Sequence, residues 1–130
     1  MLLFAFLLAG CAAPSAYTSR PSTPPVVQLE QLTPVMLTKT QMEYVRAGVI
    51  RSLKDPESAR FGTMRGGKNS EGVITVCGYV NARNSYGGYT GEKPFLGILA
   101  DKGFAVAAMG GTDDKTASVH QVCGQSGITL

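Results

Sequence analysis

The stretch Val73-Ile74-Thr75-Val76-Cys77-Gly78-Tyr79-Val80 constrains the fold more than any other part of the chain. It is rich in β-branched residues and has neither a charge nor a proline, so it reads as a central strand. Such a strand needs neighbours, and the sequence offers them downstream. Phe95-Leu96-Gly97-Ile98-Leu99-Ala100 reads as a second strand, Asp101-Lys102-Gly103 as a hairpin turn, and Phe104-Ala105-Val106-Ala107-Ala108 as the returning strand. A turn over Gly110 to Ser118 leads to an expected last strand from Val119 to Gly124. Upstream, Gly66-Gly67-Lys68-Asn69-Ser70-Glu71-Gly72 reads as a turn cluster.

Before the strands comes a different period. Met42, Val45, Val49, Ile50 and Leu53 fall on one stripe of a 3.6-residue repeat, and Thr40-Gln41-Met42-Glu43 has capping-box spacing. This predicts an amphipathic helix from Thr40 to Lys54. Asp55-Pro56 then stops it and opens a brief helical turn to Arg60. One helix followed by short strands predicts an α+β domain: one amphipathic N-terminal helix packed on a small antiparallel sheet of three to five strands. With 130 residues, the chain has room for one domain and its tails.

The first residues set the expected location. Leu2 to Leu8 is an unbroken apolar run, too short to span a bilayer and of the length of a signal-peptide core. Leu8-Ala9-Gly10-Cys11 follows directly and resembles the lipobox of bacterial lipoproteins. No Lys or Arg precedes Arg20, although a signal peptide ordinarily opens on a basic stretch, so the lipobox reading expects that stretch upstream of Met1. The resemblance implies cleavage before Cys11, lipidation of its thiol, and attachment to a membrane by two or three acyl chains. Ala12 in the next position implies sorting to the outer membrane, facing the periplasm. Residues 1–10 are then the signal peptide. Residues 11–36 form a Pro-, Ser- and Thr-rich tether that favours extended, solvated backbone, and residues 37–130 form the periplasmic domain.

With Cys11 lipidated, Cys77 and Cys123 remain, and an oxidising compartment favours their pairing as a disulfide across adjacent strands. Closing a loop of about 45 residues is worth about 4 kcal/mol by chain entropy. The net charge of +3 comes from cations scattered between Arg20 and Lys115, with no basic run, so no nucleic-acid partner is expected.

Several motifs lack the context their chemistry needs. Gly62-Thr63-Met64-Arg65-Gly66-Gly67-Lys68 has phosphate-loop spacing, but Asn69 follows where a hydroxyl must bind magnesium, with neither the strand before nor the helix after. Thr90-Gly91-Glu92-Lys93-Pro94-Phe95 spells the linker between zinc fingers in a chain with one His and three Cys. His120 with Cys77 and Cys123 makes a metal site only if both thiols are reduced. Neither a metal nor a cofactor is expected. A periplasmic hydrolase is the alternative class, with Ser85 as nucleophile, His120 as base and Asp113 or Asp114 orienting it.

Asn81 to Gly91 is the most unusual stretch. It gathers Asn81, Arg83, Asn84, Tyr86 and Tyr89 with three glycines in one loop, a composition suited to docking a partner protein or a glycan. The competing reading is a structural loop whose Asn and Gly residues satisfy tight turns and whose tyrosines lie over the core. Leu53-Lys54-Asp55-Pro56-Glu57-Ser58-Ala59-Arg60-Phe61, together with Val76-Cys77-Gly78-Tyr79-Val80-Asn81-Ala82-Arg83-Asn84-Ser85-Tyr86-Gly87-Gly88-Tyr89, resembles a pattern found in small uncharacterised proteobacterial envelope proteins. The resemblance implies an envelope protein and no mechanism. The functional expectation is a non-enzymatic accessory or binding lipoprotein. Its partners would be the membrane, through Cys11, and an envelope protein or peptidoglycan. A weaker option is an enzyme inhibitor presenting Arg83 to Tyr89 as a plug.

Overall fold

In the computed structural model, which describes residues 29–130, Thr38 rather than Thr40 opens the first helix, α1 (Lys39–Ile50). Its hydroxyl accepts the Gln41 amide at 3.2 Å, and the Gln41 side chain accepts the Thr38 amide at 2.9 Å. Two overlapping capping boxes exist in the sequence. The earlier one prevails, since it brings the Met42 amide onto the Thr38 carbonyl at 2.9 Å and adds helical residues ahead of the buried stripe Val45 and Val49. The helix ends at Ile50, short of the expected Lys54. The amides of Ser52 and Leu53 tighten back onto the carbonyls of Val49 and Ile50. Pro56–Ser58 then forms the anticipated short turn, a 3-10 helix with proline at its start.

Five strands follow one another in space as in sequence, all antiparallel: β1 (Thr33–Val35), β2 (Arg60–Lys68), β3 (Ile74–Asn81), β4 (Lys93–Ala100) and β5 (Gly103–Met109). The sheet is at the upper limit of the expected three to five strands. Gly66 to Lys68, expected as part of a turn cluster, belongs to β2, and the turn is confined to Asn69–Gly72. There the Asn69 side chain accepts the amides of Glu71 and Val73. β1 lies inside the stretch read as tether. Its three residues pair with Gly66 to Lys68, an edge position that tolerates Pro34. The apolar run Leu2 to Leu8, Cys11 and residues 12–28 of the tether lie outside the described residues.

The expected last strand, Val119 to Gly124, is instead the second half of a helix, α2 (Asp113–Gln125). Thr112 caps it, accepting the Lys115 amide at 3.5 Å, and Asp113 and Asp114 place negative charge at its positive end. The β-branched residues that suggested a strand serve helical spacing: Val119 and Cys123, four apart, form the buried edge.

With two helices rather than one, both sheet faces are covered. Val76, Val80, Phe95, Leu99 and Phe104 meet Val45 and Val49 of α1 on one face. Cys77 points the opposite way and joins Val119, Cys123 and Ile128 on the other, with Leu32, Leu96, Ala108 and Leu130 around them. Burial on both sides explains why β3 is largely apolar instead of alternating. Phe95 is fully buried, with Phe61 and Phe104 edge-on to it at 6.4 and 6.1 Å. The α1 helix can approach β5 closely because residue 48 is glycine. A methyl there would stand 2.5 Å from the Phe104 carbonyl oxygen. Cys77 and Cys123 are joined by a disulfide, Cα atoms 6.3 Å apart. It ties β3 to α2 rather than bridging two strands.

Candidate functional site

Ser58 organises the loop that the sequence singled out. The 3-10 turn buries it to 7% exposure, and its hydroxyl donates to the Asp55 carbonyl at 2.8 Å. The same oxygen accepts the Arg83 amide at 2.8 Å, and the Ser58 carbonyl accepts the Tyr89 hydroxyl at 2.9 Å. Both ends of the loop, which are also paired to each other through Arg83 and Tyr89, are therefore fastened to one residue.

Between them the chain makes a five-residue reversal. The Asn84 side-chain oxygen accepts the amides of Tyr86 and Gly88 at 2.9 and 3.1 Å. The Asn84 backbone bonds to Gly88 and Gly87 in addition. Gly87 takes a positive φ of 81°, which a residue with a side chain rarely adopts. This satisfied framework places Tyr86 at the tip with 96% of its surface exposed. Tyr89 lies lower, 37% exposed, with the Arg60 and Arg83 guanidinium carbons 4.5 and 5.5 Å from its ring centre.

The five residues nominated from sequence thus separate by job. Asn84 and Tyr89 hold the loop in shape. Arg83 contributes its backbone to the Ser58 clasp and its side chain to the Tyr89 ring. Asn81 ends β3, and its buried side-chain oxygen has no hydrogen-bond partner among the described residues. Tyr86 is the one whose side chain is wholly presented to solvent. Sequence reasoning missed Ser58 as the organiser, although the Leu53 to Phe61 segment that holds it was noted. The signal was the joint presence of two motifs that turn out to touch.

They also enclose a small pocket of about 170 Å³. Ser52, Leu53 and Lys54 line one side, Arg83, Asn84 and Ser85 another, and Lys93 a third. Val80 and Lys93 are register partners on the α1 face of the sheet. His120 belongs to the opposite face, 5.8 Å from the Tyr79 ring. Asp113 and Asp114 occupy the first turn of α2. The residues considered for a hydrolase are therefore distributed over both faces rather than gathered at one point. Cys77 and Cys123 are bonded to each other and offer no thiolate to a metal.

A larger open groove of about 730 Å³ runs beside β1, bordered by Met36, Met42, Met64 and the C-terminal residues Ile128 to Leu130. Among the described residues no helix is long and apolar enough to cross a membrane. Compared with protein-family models, curated proteins and solved structures, the chain matches none.

Proposed function

We propose that the protein is a membrane-anchored lipoprotein of the bacterial cell envelope that acts as a non-enzymatic accessory or binding module, attached through Cys11 and probing its surroundings with the Asn81 to Gly91 loop. The observation that carries this reading is the contrast within that loop. Its framework is closed on itself and on Ser58, while Tyr86 projects almost fully into solvent. A rigid support with one free amphipathic ring is the arrangement of a contact residue, because little entropy is lost when the ring is covered. The buried disulfide accords with an oxidising compartment.

The direction of the chain adds a geometric argument. Glu30, near the start of the folded part, accepts the Ser70 amide in the turn between β2 and β3. The loop begins at the far end of β3, a strand of eight residues, so about 25 Å separates the two. The described chain therefore enters the sheet at the end opposite the loop.

Two measurements test the proposal. Mass spectrometry of the mature protein should find a diacylated Cys11 at the N-terminus, and an unprocessed chain would overturn the anchoring. A photo-crosslinking residue at position 85, in intact cells with the anchor retained, should capture an envelope protein or a peptidoglycan fraction. Tyr86→Ala should abolish that capture without changing the melting temperature. Crosslinks that survive Tyr86→Ala unchanged would overturn the role of the loop.

A further inference from the structure

We infer that the pocket between the turn after α1, the Asn81 to Gly91 loop and the start of β4 binds a compact oxyanion, a carboxylate or phosphoryl group carried by a ligand in the periplasm. The inference rests on the proposed binding role of the same loop and specifies the chemistry it recognises. Lys54 is far in sequence from Arg83 and Lys93, yet all three residues line one cavity of about 170 Å³ in which no Asp or Glu joins them among the described residues, the Arg83 guanidinium standing at its edge 5.5 Å from the Tyr89 ring centre. Three like charges around so small a space repel one another and are relieved by an anion.

The remaining polar lining is equally suited to donate. Ser52 and Ser85 bring hydroxyls. Asn84 has its side-chain oxygen engaged by the Tyr86 and Gly88 amides, which leaves its NH₂ group as the available end. A helix terminus does not account for the cations. The carbonyls of Ala47, Val49 and Ile50 at the end of α1 already accept the amides of Arg51, Ser52 and Leu53. Nor does the neighbouring carboxylate of Glu92 neutralise them, because it lies over Gly62 on β2. Leu53, Val80 and Met109 form an apolar floor that leaves room for a small group and strengthens the charges above it.

The test is a titration of the folded domain with inorganic phosphate and, separately, with acetate, followed through its amide resonances at constant ionic strength set by chloride. Saturable shifts centred on Ser85, Asn84 and Gly110, with apparent Kd in the range of about 1–10 mM for at least one anion, support the site. Stronger binding of phosphate or of acetate tells which group it is shaped for. Lys54→Met with Lys93→Met should weaken binding by about tenfold or more while resonances outside the pocket stay in place. If the double variant does not fold, Lys54→Met alone should weaken it by about threefold, since Lys54 is exposed. Absence of saturable shifts for both anions, or equal affinity in the variants, overturns the pocket. Capture at position 85 that persists in the lysine variants, alongside absent anion binding, removes the pocket and leaves the docking reading intact. Anion binding without any capture does the reverse.

Discussion

Reducing the Cys77–Cys123 disulfide, with no residue changed, should remove about 4 kcal/mol of stability. The bond spans 46 residues, and the chain-entropy relation gives that figure for a loop of this length. Set against a total of about 5–10 kcal/mol for a domain of this size, the loss is roughly two to four fifths. With a urea m-value of about 1.3 kcal/mol/M, the midpoint should fall by about 3 M. Reduction is preferable to Cys77→Ala with Cys123→Ala, because both residues are essentially fully buried and truncation would add a cavity to the entropic effect. The structure also says where the loss is felt. Among the described residues the α1 face keeps a core of seven buried apolar residues, whereas the α2 face has four, two of them the cysteines themselves. Hydrogen exchange of the reduced protein should therefore accelerate in α2 and the C-terminal segment well before α1 and β3. A midpoint shift below about 1 M, or loss of protection spread evenly over both helices, would refute this account.

Two further predictions concern single contacts. Gly48→Ala ordinarily adds about 1 kcal/mol to a helix interior. Here its methyl would meet the Phe104 carbonyl and Cβ at 2.5 and 2.9 Å, so a net destabilisation of about 1–3 kcal/mol in chemical denaturation is expected, and a gain would contradict the close approach of α1 to β5. The Glu30 carboxyl is held below its ordinary value by the Ser70 amide that it accepts. That contact is fully present above the ordinary carboxylate range and is lost as pH falls through the lowered value. The Ser70 amide resonance should report this step, and Glu30→Gln should abolish it.

Much of the fold was legible because it is local. The β-branched run at Val73 to Val80 and the Asp101-Lys102-Gly103 turn each act over a few residues and gave the element expected to within a residue or two, and Asp55-Pro56 opened the expected short turn although α1 stops four residues before the expected Lys54. The pairing of Cys77 with Cys123 was expected from the cysteine count once Cys11 was set aside, and the structure has it, though between β3 and α2 rather than between two strands. The element at Val119 to Gly124 was not, because its β-branched residues fit two periods. The cap at Thr112 and the burial of Val119 with Cys123 against the sheet decided for the helix. The brief strand β1 was equally hidden, as three residues with a proline pair only where a neighbouring edge waits for them.

The same division applies to the site. Sequence alone marked the Asn81 to Gly91 loop as unusual in composition. That Ser58 ties both ends of that loop together, that Tyr89 is fastened while Tyr86 is free, and that Lys54, Arg83 and Lys93 converge are consequences of folding. Local steric preferences act between neighbours in the chain and leave a trace in composition. Hydrogen bonds and like charges brought together across 10 to 39 positions leave none until the backbone has closed on itself.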